Sequence, residues 1–262
     1  MTRYVTDNPT PTVSIVILNH NYDQYVAEAI ESALGQEPGA YDLAEVVVVD
    51  DGSTDDSHRI YGRYEDLRVV RSDHYGFAAT LTRGIREAHG EWVALLDADD
   101  AFQPNKLPTI APLMNDPRVS LIQHGEYVVG ADGAAYVEGY HPGGATSTLV
   151  ARVRDVRALL PISNELFLHV LADAGRGRVI GDPLTRYRVH AQSMTDRTTP
   201  GAFADYMAQV CEGISTRLDQ LVLDPPPWAT QRDLFACSQT YRDRATVYRR
   251  DADHQINVGS IR

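Results

Sequence analysis

Apolar runs and polar breaks alternate regularly from Val13 to Asp100. Val13-Ser14-Ile15-Val16-Ile17-Leu18 is rich in β-branched residues, the pattern of a strand buried on both faces. Asn19-His20-Asn21-Tyr22-Asp23 breaks it, and Val26, Ile30 and Ala33/Leu34 then recur at the spacing of a helix over about Gln24 to Leu34. Glu45 to Val49 predicts a second buried strand, stopped by Asp50-Asp51-Gly52-Ser53. Thr54, Asp55 and Asp56 supply capping groups for a helix through His58 to Tyr64. Leu67 to Arg71 predicts a third strand. A turn containing Gly76 and a helix from Ala78 to Ala88 follow, closed by the His89-Gly90 stop signal. Trp92 to Leu96 predicts a fourth strand, which runs into Asp97-Ala98-Asp99-Asp100.

After Asp100 the rhythm changes. Pro104, Pro108, Pro112 and Pro117 punctuate a helical stretch, Val119 to Val129 reads as strand, and Gly130–Gly144 as a hairpin and loop. Helices are predicted at about Val153 to Leu160 and Asn164 to Ala174, with short strands at Val179-Ile180 and Thr185 to Val189. Ala202 to Leu223 has helical period. Asp224-Pro225-Pro226-Pro227 is a rigid break, and a second helical stretch covers Gln231 to about Arg249 before a tail that reads as disordered. The predicted division is a catalytic domain over 1–197, halved at about residue 100, and a helical extension over 198–262.

Alternating strands and helices predict an α/β fold, a mostly parallel sheet flanked by helices, with a C-terminal helical appendage. Ligands of such sheets collect at the carboxyl ends of the strands. The three polar clusters, 19–23, 50–53 and 97–100, all occupy such ends and are expected to converge on one edge.

Charge narrows the ligand. There are 36 Asp and Glu against 24 Lys and Arg, a net charge of −12, which repels a nucleic-acid backbone. A single phosphate ligand remains open if a bound cation inverts the local field. No apolar run is long enough to span a bilayer, and Met1-Thr2-Arg3 does not begin a secretory signal. The two cysteines, Cys211 and Cys237, lack metal-ligand spacing and read as small buried residues of a reducing compartment. The expectation is a soluble, cytoplasmic protein.

Asp97 and Asp99, separated by one residue at a strand end, can hold a hard divalent cation against a diphosphate. An acidic turn that caps the next helix is the plainer alternative. At Asp50-Asp51-Gly52-Ser53 a carboxylate can accept a nucleobase N–H while Gly52 permits a tight turn. One division of labour makes Asp50 structural and turns Asp51 toward ligand.

Taken together, Val13 to Asn21, Glu45 to Asp55, Gly90 to Asp100, and Asp182-Pro183-Leu184-Thr185-Arg186-Tyr187-Arg188-Val189-His190 resemble glycosyltransferase family 2. The resemblance covers about Thr12 to Thr195. It implies the GT-A (Rossmann-like) fold and inverting transfer of a sugar from a nucleoside-diphosphate donor, with Mn²⁺ or Mg²⁺. A UDP-sugar is favoured as donor and a dTDP-sugar is the next choice. Leu18, Asn19 and His20 map to the nucleobase contacts, His20 standing where many relatives carry Tyr. Asp51, beside Asp50, maps to the acid that reads the base, and Gly76 to the glycine-containing loop near the donor. Thr82 stands where Asn is common. Asp97 and Ala98 map to the sugar or ribose side of the metal motif, Asp99 to the direct metal ligand, and His190 to a ligand or phosphate contact. Arg188 is open between phosphate contact and a structural ion pair.

The family's catalytic base opens a helix upstream of His190. In Ile162-Ser163-Asn164-Glu165-Leu166 the acid available is Glu165, and the alternative is that Asn164 holds the family position. His58, His74, His89, His124, His141 and His169 show no ligand spacing, and most of them read as surface residues. The acceptor, a small molecule or a glycan, is expected against Gly130–Gly144, with the C-terminal appendage as a second source of contacts and the loop Gly139–Thr148 closing over it. The apolar positions Phe203, Met207, Val210, Ile214 and Leu218 of the Ala202–Leu223 helix read as core or as a homodimer contact. Two rivals remain: a nucleotide-sugar-binding protein without turnover, and a sugar-1-phosphate nucleotidyltransferase. The second is disfavoured because the break after the first strand has no glycine-rich basic loop.

Overall fold

The computed structural model describes residues 9–141, 145–190, 199 and 201–259. Residues 142–144 of the predicted closing loop, the predicted boundary at 197/198 and the Met1-Thr2-Arg3 start lie outside the described residues.

The first half builds β1 (Thr12–Asn19), α1 (Val26–Leu34), β2 (Asp42–Asp51), α2 (Ser57–Tyr61), β3 (Leu67–Ser72), α3 (Phe77–Glu87) and β4 (Trp92–Asp97). The second half builds β5 (Ala101–Phe102), α4 (Lys106–Met114), β6 (Leu121–Val129), β7 (Ala135–His141), β8 (Leu149–Arg152) and α5 (Val153–Arg157). It continues with α6 (His169–Leu171), β9 (Gly177–Arg188), α7 (Ala202–Leu223) and α8 (Gln231–Gly259). The strands form one sheet in the order β3-β2-β1-β4-β8-β6-β9-β5, with β7 beside β6. The β3-β2-β1-β4 part is all parallel. Antiparallel β8 then joins β4 to β6, and β9 runs parallel to β6.

Period-two alternation explains why these segments are strands. Val46 and Val48 face one side with Val13, Ile15 and Ile17, packing on α1 and α4 residues such as Ile30 and Ile110. Val47 and Val49 face the other side with Val16 and Leu18, against Leu81 and Ile85 of α3. That second layer also takes in Cys211, Ile214 and Leu218 of α7 and Leu234, Cys237 and Tyr241 of α8, so the C-terminal helices share the core of the sheet. Both cysteines are free and buried, as the sequence suggests. Trp228 packs on the same layer and donates its Nε1–H to the Asp155 carbonyl at 3.3 Å.

Three predictions need correction. The helix expected at 164–174 is a 3₁₀ turn (Glu165–Leu168), the short α6 and a π turn (Ala172–Arg176), kinked at Gly175 with φ 76°. Val179-Ile180 and Thr185 to Arg188 belong to one strand, β9, because β6 pairs with it along its length, and Val189 lies just beyond its end. The tail read as disordered continues α8 to Gly259. No helix among the described residues is long and apolar enough to cross a membrane.

Candidate active site

Strand register brings the three polar clusters together. Leu18 of β1 lies opposite Asp97 of β4, Asn19 opposite Asp50 of β2, and Asp51 opposite Ser72 of β3. The strands are parallel and in step, so their carboxyl ends share one edge.

At the centre of that edge is the acidic turn after β4. Asp97 is pushed well above the usual carboxylate range by burial, then by the charges of Asp99 and Glu165. Asp99 is raised mainly by burial, which outweighs its hydrogen bond with His190, whose Nε2 lies 3.0 Å from the Asp99 Oδ2. Asp100 has another job. Its Oδ2 accepts from Ser147 Oγ at 2.6 Å and its Oδ1 from the Arg188 N–H at 2.8 Å, which ties the turn to β9 and to the segment before β8. Ser147 Oγ in turn accepts from the Asp97 N–H at 2.9 Å. Ala98 is fully buried and donates its N–H to the Leu18 carbonyl at 3.0 Å, anchoring the turn to β1.

Glu165, from the second half of the chain, lies close enough for its charge to act on Asp97. It is partly buried, and burial pushes its carboxyl up to about 7. Its neighbour Asn164 is spent on structure: Oδ1 accepts from the Leu166 N–H at 2.9 Å, the N-cap contact of this turn, and Nδ2 donates to Tyr206 Oη of α7 at 2.7 Å. The Thr82 hydroxyl accepts from the Ile162 N–H at 3.2 Å and also lies 3.3 Å from the Ile162 carbonyl, fastening this segment to α3.

The other end of the edge has a different chemistry. The side chains of Leu18, Asn19 and Asp50 turn inward. Leu18 is in the core, Asn19 Nδ2 bonds Ser53, Ser57 and Tyr61 hydroxyls at 3.1, 3.1 and 2.6 Å, and Asp50 Oδ1 accepts from the Ser53 N–H at 2.7 Å. Asp51 holds the loop before α3: it accepts from the Tyr75 N–H at 2.9 Å and the Gly76 N–H at 2.8 Å, and His74 Nδ1 is 3.1 Å away. Burial alone would raise Asp51, but these partners outweigh it and hold its carboxyl below the usual range. Gly76, at φ 86° and ψ 168°, occupies backbone space that is essentially glycine's own.

His20 and His74 stack, with ring centroids 4.1 Å apart and planes 21° from parallel. With Asp51 they form a cluster of ligating atoms all within 4.8 Å. His74 is exposed, as its sequence setting suggested, but the fold gives it ligand-distance neighbours that local spacing does not show. His124 is not at the surface: it is 1% exposed, close to the fully buried Lys106, whose ammonium donates to the Ser147 carbonyl at 2.9 Å. His169 is half-buried as well, whereas His58 and His89 are exposed. Arg188 is committed to structure, pairing with Glu28, donating to the carbonyls of Asp99, Gly130 and Ala131, and lying over the Tyr25 ring.

Sequence reasoning passed over three neighbours of the acids. Tyr22 is raised by burial and then by Asp99, Asp97 and Asp100, which puts its phenol beside the acidic turn. Ser147 sits in the hydroxyl run Thr146-Ser147-Thr148, a signal that was there to be read. Tyr206 gave no signal, since a tyrosine on an amphipathic helix looks like packing.

The family model for glycosyl transferase family 2 matches residues 14–167. An uncharacterised glycosyltransferase of Nostoc sp. is 33% identical over 117 residues, which is 43% of this chain and 35% of that relative's length. Among solved structures, S. aureus TarS 1–349 in complex with UDP-GlcNAc superposes with a TM-score of 0.63 at 18% identity, over 89% of this chain and 72% of that one. The mannosyltransferase PcManGT from Pyrobaculum calidifontis, in complex with GDP-Man and Mn²⁺, superposes with a TM-score of 0.54 at 16% identity, over 97% and 80%. At these identities the likeness is one of fold, and the fold is GT-A.

Proposed function

The chain belongs to glycosyltransferase family 2, and on that premise we propose that it is an inverting, metal-dependent transferase moving a sugar from a nucleoside-diphosphate donor to an acceptor hydroxyl. The observation that carries the reading is the meeting of Asp97, Asp99, His190 and Glu165, drawn from β4, the end of β9 and the 165–168 turn.

The donor set fits a hard dication. Asp97 and Asp99 are crowded carboxylates whose charges disfavour one another, and the His190 Nε2 lies 3.0 Å from the Asp99 carboxylate. Asp99 and His190, with Asp97, would hold Mn²⁺ or Mg²⁺, which supplies charge neutralisation for the departing diphosphate. Asp100 stays outside the ligand set because Ser147 and Arg188 occupy both its oxygens.

Glu165 is the base. As the acceptor oxygen bonds to the anomeric carbon and the bond from that carbon to the diphosphate breaks, the acceptor's proton passes to the Glu165 carboxylate. A pKa of about 7 suits a base working near neutrality. The nucleobase lies against the His20 side of the edge, beside Leu18. Asn19 and Asp50 act on it by holding the turn's shape, and Asp51 by fixing the Tyr75–Gly76 backbone. A UDP-sugar is the favoured donor. The UDP-GlcNAc and GDP-Man complexes of the two structural neighbours make those donors the first to try.

The test is release of nucleoside diphosphate from UDP-, dTDP- and GDP-sugars with Mn²⁺, for the native chain, Asp99→Ala and Glu165→Gln. Undiminished release by Asp99→Ala overturns the metal assignment. Tight donor binding with no release from any donor would identify a binding protein instead.

A further inference from the structure

The acceptor side of Glu165 is not built from the sheet. Asn164, 2% exposed, donates to Tyr206 Oη at 2.7 Å, and the phenol's own proton is donated to no described residue. Tyr206 also feels the Glu165 charge, which together with burial pushes the phenol up to about 12. Tyr206 is thus tied to Asn164, the residue adjoining Glu165. Tyr206 is nevertheless 41% exposed. One turn before it on the same face of α7 is Phe203, 40% exposed.

We infer that Phe203 and Tyr206 of α7 form the acceptor subsite, and that the acceptor it takes is a pyranose ring presented to Glu165. The inference rests on the proposed transferase reading and names the substrate class of its second half. A pyranose has an apolar C–H face that packs on aromatic rings and a rim of hydroxyls that need hydrogen-bond partners. The pair offers both, two partly exposed rings and a phenol O–H joined through Asn164 to the segment of the base. An alkyl chain would cover the rings but leave that O–H without a partner, and burying it so is unfavourable.

Saturation-transfer NMR on the full chain tests this, using methyl glucoside, galactoside, mannoside and N-acetylglucosaminide as probes. Titrations are run with Mn²⁺ and whichever of UDP, dTDP or GDP binds best, and again without nucleotide. At least one pyranoside should bind. Tyr206→Ala and Phe203→Ser should each weaken it at least tenfold and Tyr206→Phe about threefold, with nucleotide affinity kept within twofold. Phe203→Ser removes an exposed side chain, so its result stands even if Tyr206→Ala unfolds. Pyranoside affinity that survives every substitution overturns the inference. So does binding of octyl phosphate in place of every pyranoside, lost in Phe203→Ser. Failure of all three nucleotides to bind counts against the transferase reading, while the titration without nucleotide still judges the subsite.

Discussion

His190 Nε2 lies 3.0 Å from Asp99 Oδ2, although the two residues are 91 positions apart. Arg188, two residues before the histidine, donates its Nε–H to the Asp99 carbonyl at 2.8 Å and its backbone N–H to Asp100, so β9 is fixed to the acidic turn. A dication bound here should join both groups. Asp99→Ala and His190→Ala are each expected to weaken Mn²⁺ binding at least about tenfold, as losses around metal sites commonly do. Electron paramagnetic resonance of free Mn²⁺ measures it, and equal titrations for all three chains would move the metal elsewhere.

Glu165 must be ionised to accept a proton, and burial sets its carboxyl at about 7. Transfer should therefore rise with pH through that value and level off above it. Glu165→Gln should lower turnover by about 10²- to 10⁴-fold, the range for loss of a general base, and leave nucleotide affinity in place. A turnover profile flat from pH 5.5 to 8 would assign the base elsewhere.

The Asp51 carboxylate accepts from consecutive N–H groups at Tyr75 and Gly76. Asp51→Asn replaces one acceptor by an NH₂ that faces an N–H, at a cost of about 1–3 kcal/mol for the group left unsatisfied. Gly76→Ala has room for its methyl group, but its backbone conformation costs a side-chain residue about 1–3 kcal/mol. Both variants should release the 72–76 loop and speed hydrogen exchange at the backbone amide of position 76. Unchanged exchange in Asp51→Asn would show that the carboxylate does not hold the loop.

The half of the fold that is all parallel was legible because its strands are buried on both faces and must be continuous apolar runs, such as Val46–Val49, while polar residues have to gather at the ends. What escaped reading is held by distant partners. β5 is only Ala101–Phe102, a strand because β9 lies beside it, and β8 carries no long run because it spans only Leu149–Arg152. The burial of Lys106 and His124, the stacking of His20 on His74 and the reach of Tyr206 to Asn164 follow from packing between elements. No local spacing encodes them. Asn164 and Glu165 are adjacent and both polar, so sequence alone left the base open between them. The structure shows Asn164 capping the Leu166 N–H, which leaves Glu165 as the acid of the proposed mechanism.

Glu165 should also make the chain less stable at neutral pH. Its carboxyl is raised from 4.5 to about 7 in the folded state, so below pH 4.5 both folded and unfolded chains carry the proton and nothing is lost. Between pH 4.5 and 7 the unfolded chain ionises first, the unfolded state gains, and stability falls with rising pH until it levels off above 7. The full shift corresponds to a loss on the order of 3 kcal/mol. Gln at this position carries no charge at any pH. With a chelator present, urea unfolding should therefore find Glu165→Gln more stable than the native chain by that amount at pH 8 and equal to it at pH 4. Parallel curves for the two chains from pH 4 to 8 would mean that Glu165 titrates as an ordinary surface acid, and its assignment as a base tuned to neutrality would fall with it.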